Sequence, residues 1–291
     1  MSHHAVRLPD GRLHLQHGPI DCLCRAEGDA DEVARAYAQA QAAFPAILPS
    51  LCAELPHLRA PLPSPPPTGA IARAMHAATL PFAARFITPM AAVAGAVADA
   101  VLAAMTEGCD LRRAFVNNGG DIAFFLAPGE RLRAGLVADL AAPALAGVFL
   151  LDAGLAARGL ATSGRAGKGA GGKSFSFGIA DAVSVLARDA AAADAAATMI
   201  GNEVDLPDHP AIRRRPAREI DAASDLGDRL VTSALGDLTP AEIAAALDAG
   251  RRFADALRRA GLIAGAVLSL RGMIATVPPA RSDAVPFLEV A

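Results

Sequence analysis

The sequence lacks tryptophan and has a single tyrosine among its 291 residues, so aromatic residues make up only 4% of the chain. It also lacks an excess of basic residues, because 27 Lys and Arg stand against 30 Asp and Glu, a formal net charge of −3. This balance gives no basis for binding nucleic acids or anionic membranes. The hydrophobic fraction of 53% is rich in alanine and predicts a closely packed core.

The motifs of the common catalytic and metal sites are missing as well. The four cysteines form no CxxC pair and no zinc spacing, and Cys22 and Cys24 share one apolar run, which is typical of core thiols. The seven histidines lie outside any HExxH motif, and the chain has neither a Walker A loop nor a G-x-S-x-G elbow.

Targeting and membrane signals are not evident in the sequence. The first residues, Met1-Ser2-His3-His4, are polar and lack the apolar region of a signal peptide. Charged residues or proline interrupt the longest apolar stretches, which predicts no membrane span. We therefore expect a cytoplasmic protein with one domain over residues 1–291.

Local patterns predict both helices and hairpins. Alternation around a Pro-Asp-Gly turn predicts a hairpin over Arg7–Leu15, and helical spacing predicts a helix over Asp31–Leu48. Thr88, followed by Pro89, predicts the N-cap of a buried helix that runs to about Met105.

Other segments have weaker or more irregular patterns. The proline-rich segment Pro61–Gly69 predicts a stiff, extended loop. Residues 205–228 are polar and predicted to be irregular, and the run Arg213–Arg215 within them is predicted to be a solvated patch. Thr239, Pro240 and Glu242 form a capping box that predicts the start of another helix.

The first candidate binding motif lies between two apolar runs. It consists of Asn118, Gly119, Gly120 and Asp121. Glycines without a Cβ let backbone amides approach an anion closely, and the aspartate could bind a ribose hydroxyl or a ring N–H. The alternative is an ordinary hairpin turn, since Asn-Gly and Gly-Gly are common turn dipeptides.

A second candidate motif ends another apolar run. Thr162, Ser163 and Gly164 supply two hydroxyls and a glycine at the predicted end of a strand, which suits the edge of an adenine or a phosphate. The alternative is again a turn, because Ser-Gly marks many turns.

A candidate metal site lies in an alanine-rich helical stretch. Asp194 and Thr198 are four residues apart, so they share one helix face and could offer oxygen ligands to Mg²⁺. The alternative is a surface-facing aspartate together with a threonine bonded to its own helix backbone.

These three motifs occur in the order seen in the ApbE-like flavin transferases, which the segment from about Pro89 to Ile200 resembles. Those enzymes use FAD and Mg²⁺ to attach FMN to a Thr or Ser of a target protein. The whole chain resembles an uncharacterised UPF branch of this superfamily. The resemblance implies an α+β, T-fold-like domain with mixed or antiparallel sheets flanked by helices. It also places Gly119, Gly120 and Gly164 in one cleft.

The chain departs from the transferases at two positions. Lys173–Gly178 stands where they carry a His-x-x-Asp-Pro-x-Thr-Gly motif, and Ala94 replaces the lysine of their Lys-Gly-Tyr-Ala-Val-Asp helix. We therefore expect binding of FAD, FMN or another nucleotide-like ligand, with weak or absent flavin transfer. The alternatives are a metabolic enzyme acting on another small anion and a non-catalytic structural or assembly protein. Homo-oligomerisation stays open.

Overall fold

The computed structural model describes residues 3–137, 145–164, 175–279 and 288–290. It divides into two compact units whose segments alternate along the sequence. The first unit consists of Met1–Leu132, Leu151–Ala161 and Ala187–Ala195, and the second of Arg133–Leu150, Thr162–Leu186 and Ala196–Ala291. A single domain over residues 1–291 stays a prediction.

Both units combine β-strands with α-helices, which confirms the predicted α+β class. In chain order the elements are β1 (His4–Arg7), β2 (Leu13–His17), β3 (Ile20–Gly28), α1 (Ala30–Ala53), α2 (Leu55–Leu58), α3 (Ala70–Thr79), α4 (Val93–Thr106), β4 (Leu111–Asn118), β5 (Asp121–Leu126), β6 (Arg131–Val137), β7 (Leu145–Asp152), β8 (Gly159–Ser163), β9 (Ala182–Ala187), α5 (Ala190–Glu203), β10 (Ile212–Pro216), α6 (Ala217–Ile220), β11 (Leu230–Leu235), α7 (Pro240–Arg259), β12 (Gly265–Leu270), β13 (Met273–Val277) and β14 (Leu288–Val290).

In the first unit, antiparallel strands follow the order β1-β2-β3-β4-β5-β8. The predicted N-terminal hairpin is present, with Val6 opposite His14. Alternate residues of β2 and β3 are buried, including Cys22 and Cys24, because one face of the sheet is covered by α1. The two cysteines are free thiols in the core, as their shared apolar run predicts.

The only tyrosine ties the hairpin to α1. The Tyr37 hydroxyl accepts a hydrogen bond from the Ala26 amide at 3.1 Å and donates one to the Gly11 carbonyl at 3.0 Å. The Arg7 guanidinium lies 4.8 Å from the centre of its ring, within the range of a cation–π contact. Tyr37 is therefore buried with its hydroxyl fully engaged.

The proline-rich loop over Pro61–Gly69 is anchored at its end by Glu54. This carboxylate accepts hydrogen bonds from the amides of Thr68 and Gly69, both at 2.6 Å. Gly69 is the N-cap residue of α3 and, as a glycine, has no side chain that could cap the helix. Glu54 therefore supplies from outside the helix the negative charge that stabilises a helix N-terminus.

Helix α4 is the buried helix of the first unit and corrects the predicted start at Thr88. A 3₁₀ turn occupies Pro89–Ala92, the Thr88 side chain makes no cap hydrogen bond, and the α-helix begins at Val93. The segment Pro89–Thr106 has a mean hydropathy of 1.6 and the length of a membrane span, but half of it is buried inside the protein. It packs against α1, β4 and β5 as a core helix.

In the second unit, β9, β12 and β13 pair antiparallel in that order, and α7 packs against β12 and β13. The predicted capping box is present: Thr239 accepts from the Glu242 amide, and the Glu242 carboxylate accepts from the Thr239 amide. Smaller antiparallel pairings join β10 to β11 and β14 to β7.

The segment 205–228, predicted to be irregular, contains strand β10 and helix α6. Arg213 and Arg215 are exposed, as predicted. Arg214 is half-buried and forms an ion pair with Asp205, in which its Nη2 donates to both carboxylate oxygens at 2.6 Å. The strand has no apolar alternation in its sequence, and this ion pair and the pairing with β11 hold it in place of hydrophobic burial.

Two glycines bring backbone segments of the first unit into close contact. A Cβ on Gly95 would lie 2.2 Å from the carbonyl oxygen of Ala190, at the start of α5. A Cβ on Gly159 would lie 2.1 Å from the carbonyl carbon of Asp189. The start of α5 therefore rests directly on the backbones of α4 and β8.

We expect Gly95→Ala to destabilise the protein by roughly 1–3 kcal/mol, because its methyl group would overlap backbone atoms that have no room to move. Gly201→Ala, in α5, is the matched control. Its Cβ would meet only a Val183 methyl at 3.9 Å, so the higher helix propensity of alanine should stabilise by about 0.5–1 kcal/mol. Chemical denaturation of the two variants measures both effects; equal changes would contradict the close contact.

Candidate functional site

The Gly119–Gly120 motif forms the two-residue turn between β4 and β5. Asn118 faces Asp121 across the hairpin, and both glycines have positive φ, +65° and +112°. The turn alone therefore explains the choice of glycine, as the hairpin alternative predicts. A Cβ at either position would meet no protein atom within 4 Å, so this side of the turn is open to a ligand.

Asn118 connects the turn to two other elements. Its amide nitrogen donates to the Ala94 carbonyl of α4 at 3.1 Å, and its side-chain oxygen accepts from the Asp21 amide of β3 at 3.3 Å. The side chain is buried, and both of its ends are engaged within the protein. Asn118 thus fixes the turn against α4, and its contact with a ligand stays a prediction.

Asp194 lies against the N-terminus of α4 and is not surface-facing, which corrects the alternative drawn from the sequence. Its Oδ2 accepts a hydrogen bond from the Gly95 amide at 3.1 Å. Gly95 is in the first turn of α4, where backbone amides have no partner within the helix. Asp194 therefore caps α4, the role that the sequence assigned to Thr88.

Asp121 and Asp194 form a pair of like charges beside the glycine turn. Burial raises the pKa of Asp194 well above its usual value, and repulsion by Asp121 raises it further. Asp121 is itself buried, with 8% of its surface exposed. Within the described residues, no group of three or more His, Cys, Asp or Glu side chains is placed to hold a metal ion.

A third carboxylate, Asp99, holds the start of α5. Its two oxygens accept hydrogen bonds from the amides of Ala190 at 3.0 Å and Ala191 at 2.9 Å. Burial raises the pKa of Asp99 to about 6, although both amides favour the charged form. Helix α5 also has a cap of its own, because Asp189 accepts from the Ala192 amide at 2.7 Å.

In the second unit, the hydroxyls of the other two motifs come together. The Ser163 hydroxyl lies 3.4 Å from the hydroxyl of Thr198, which follows Asp194 by one turn along α5. The Thr162 hydroxyl lies 2.7 Å from that of the buried Ser184 on β9. Ser163 and Thr198, which are 35 residues apart, therefore share one small polar surface.

Gly164 has a packing role that the sequence did not predict. Its φ is +126°, and a Cβ would lie 2.8 Å from the Asp181 carbonyl oxygen. This close approach explains the glycine without a ligand. A cleft shared by Gly164, Gly119 and Gly120 stays a prediction.

Residues 175–178 are the described part of the segment that stands where the transferases carry their His motif. They are held by hydrogen bonds to other residues of the second unit. Asn202 of α5 accepts from the Ser176 hydroxyl at 3.1 Å and from the Phe177 amide at 2.9 Å. The Arg214 guanidinium donates to the Phe177 carbonyl, and the Thr232 amide donates to the Ser176 carbonyl at 2.9 Å. Residues 165–174, including the glycine-rich stretch and Lys173, lie outside the described residues.

Sequence reasoning missed Asp99, Asn202 and Arg214 as structural partners of the candidate site. Asp99 lies in a helix that resembles a family motif, and the four-residue spacing from Gly95 was the signal available for it. Asn202 and Arg214 contact residues 25 and 37 positions away, and no local pattern encodes such contacts.

Curated relatives match the chain over part of their length. It is 40% identical over 119 residues to a "UPF0280 protein" of Methanothrix thermoacetophila, covering 40% of this chain and 46% of that protein. It is 37% identical over 129 residues to a "UPF0280 protein" of Methanospirillum hungatei, covering 44% and 50%. The chain thus spans about half the length of the curated relatives it matches.

A solved structure and a family model match nearly the whole chain. The crystal structure of the flavinyl transferase ApbE from Pseudomonas stutzeri, in its apo form, matches with a TM-score of 0.40 and 14% identity. That match covers 95% of this chain and 94% of the other. The model of the family described as AbpE bacteria matches residues 5–276, and the chain therefore belongs to this family.

Proposed function

We propose that this protein binds FAD, FMN or another nucleotide with a phosphate or pyrophosphate group, together with Mg²⁺, in the cytoplasm. The observation that carries the proposal is the carboxylate pair Asp121–Asp194 beside the open Gly119–Gly120 turn. Strongly perturbed carboxylates of this kind cluster at functional sites.

The carboxylate pair has an electrostatic cost that a cation would offset. Asp194 is held near Asp121 in an environment that disfavours its charged form, and the Gly95 amide only partly compensates. A divalent cation would favour ionisation of both carboxylates, since opposite charge lowers a carboxyl pKa. The pair therefore fits a site whose favourable state includes a bound cation.

The donor set fits Mg²⁺ better than a transition metal. The residues that we propose as ligands, Asp194 and Thr198, both offer oxygen, and Asp121 adds negative charge. Mg²⁺ requires octahedral oxygen coordination and usually keeps waters and substrate phosphate among its ligands. With few protein ligands, the cation would bind chiefly in company with a phosphate group.

The glycine turn and the hydroxyl surface supply the proposed contacts to the nucleotide. The open side of Gly119–Gly120 would let a phosphate approach the backbone closely. We propose Thr162, Ser163 and the backbone at Gly164 as further polar contacts to the nucleotide, as their motif predicts.

Flavin transfer is not favoured by the described residues. Transfer requires an activated nucleophile and stabilisation of the leaving phosphate. The segment at the position of the transferase His motif binds Asn202, Arg214 and Thr232 through its own polar groups. These contacts indicate a structural role for the segment. We therefore propose a binding protein in preference to an efficient transferase.

We expect Asp194→Asn to stabilise the metal-free protein at pH 8. The raised pKa of Asp194 means that the folded state loses stability as pH rises from about 4, the usual aspartate value, through the folded pKa. The asparagine oxygen still accepts from Gly95 but carries no charge. Thermal unfolding measures the effect, at roughly 2–4 °C per kcal/mol for a protein of this size class.

The stability that the Asp194→Asn variant gains over the wild type should be larger at pH 8 than at pH 4. Asp248→Asn is the control, because Asp248 is exposed, pairs with Arg251 and Arg252, and has a lowered pKa. A gain at Asp194 that does not depend on pH would contradict the electrostatic argument.

We expect FAD binding to depend on Mg²⁺, and this dependence to be lost in Asp194→Asn and in Asp121→Asn. Removing either of the two negative charges should weaken binding in the presence of Mg²⁺ by about 10–100-fold, equivalent to about 1.5–3 kcal/mol. Titration calorimetry with FAD and with ADP, with and without Mg²⁺, measures the change. Unaltered Mg²⁺ dependence in both variants would place the cation elsewhere, and Asp248→Asn should bind like the wild type.

We expect flavin transfer to be slow or undetectable, because the family's His-bearing motif is missing and the described residues at its position, 175–178, form structural hydrogen bonds. The protein is incubated with FAD, Mg²⁺ and a peptide that carries a Thr flavinylation motif, and flavin fluorescence of the peptide is followed in a gel. An authentic family transferase is the positive control. Labelling at a comparable rate would show that the missing histidine is dispensable.

A further inference from the structure

Helices α4 and α5 exchange carboxylate caps with the same spacing on each helix. On α4, the Gly95 amide donates to Asp194, and Asp99 lies four residues after Gly95. On α5, the Ala190 amide donates to Asp99, and Asp194 lies four residues after Ala190. Each helix thus has a first-turn amide with no partner in its own helix. One turn later, each helix carries the carboxylate that accepts a hydrogen bond from that amide of the other helix.

The exchange occurs where the two helix backbones are in contact. The Cβ that Gly95 lacks would overlap the Ala190 carbonyl at 2.2 Å, and the adjacent Ala191 amide nitrogen at 2.7 Å. Neither backbone can shift toward the other, and the Asp99 hydrogen bonds to the Ala190 and Ala191 amides hold the first turn of α5 against movement in the opposite direction. Asp194 begins the next turn and moves with it.

We propose that Asp99 is a positioning residue for Asp194, which it holds toward Asp121 by fixing the first turn of α5. The inference rests on the proposed function, in which Asp194 is a metal ligand. Asp99 would act through the Ala190 and Ala191 amides and touch neither cation nor nucleotide.

Asp99 satisfies two amides of α5 that the helix's own cap does not reach. Helix α5 already has the Asp189 side chain bound to its Ala192 amide at 2.7 Å. Asp99 adds a second, partly buried carboxylate at the same helix end, close enough to Asp194 to repel it. Hydrogen-bonded groups around a metal site orient its ligands, and Asp99 holds the helix turn before Asp194 by two such bonds.

The test uses Asp99→Asn and Asp99→Ala in the full-length protein. Asparagine keeps one oxygen that can accept from an α5 amide, whereas alanine keeps none, so the effect should increase in that order. The matched control is Glu54→Ala, which removes a carboxylate that accepts two amides at the start of α3. Circular dichroism and thermal unfolding confirm that each variant is folded at the temperature of measurement.

The first readout is the Kd for Mg²⁺ measured with saturating ADP. We expect it to rise by about 10–100-fold in Asp99→Ala, by less in Asp99→Asn, and by under about twofold in the Glu54 control. A general loss of stability would instead affect the control to a similar degree.

The second readout is hydrogen exchange of the Gly95 amide without metal, which reports whether Asp194 still accepts from it. Faster exchange in both Asp99 variants, but not in the control, supports positioning, and wild-type exchange overturns it. If the wild type binds no Mg²⁺ with ADP, the proposed function is wrong, and exchange alone decides the positioning role. Faster exchange with an unchanged Kd would contradict Asp194 as a ligand, but not its positioning by Asp99.

Discussion

The exchange of carboxylate caps between α4 and α5 is the interaction on which the candidate site depends. Asp194 satisfies an amide at the start of α4, and Asp99 satisfies two at the start of α5. Each bond places negative charge at the positive end of a helix dipole, which offsets part of the cost of burying a carboxylate. The same bonds bring Asp194 to Asp121, so the stability of this packing and the charge of the site are not independent.

The contact between the helices also explains why glycine and alanine are so frequent around it. Ala161, Ala187, Ala192 and Ala193 form one buried cluster in the first unit, next to the close approaches at Gly95 and Gly159. Small side chains let backbones approach until a carboxylate on one helix reaches the amides of another. Larger residues would separate the helices and remove both caps, which gives the alanine-rich composition a local physical reason.

Regular elements were the most predictable part of the fold. The hairpin over Arg7–Leu15 and the capping box at Thr239 depend on neighbours within a few residues, and the structure confirms both. The Thr88 cap was wrong because a side chain distant in sequence satisfies α4. Strand β10 was missed because an ion pair and strand pairing hold it, without the apolar alternation by which strands are recognised.

The candidate site was predictable in its residues but not in their surroundings. Spacing placed Asp194 and Thr198 on one helix face, yet could not show that the aspartate faces another helix instead of solvent. The glycines that sequence reasoning emphasised, Gly119 and Gly120, are explained by the turn that contains them. Gly95 matters for a tertiary contact, and such a contact leaves no pattern in a single sequence.

The hydrogen-bonded position of Tyr37 has a consequence for the fluorescence of the protein. Because the chain has one tyrosine and no tryptophan, its intrinsic ultraviolet emission comes from one hydroxyl-bonded ring between α1 and the N-terminal hairpin. Loss of that contact would change the emission of the whole protein, whereas rearrangements confined to the second unit would be silent.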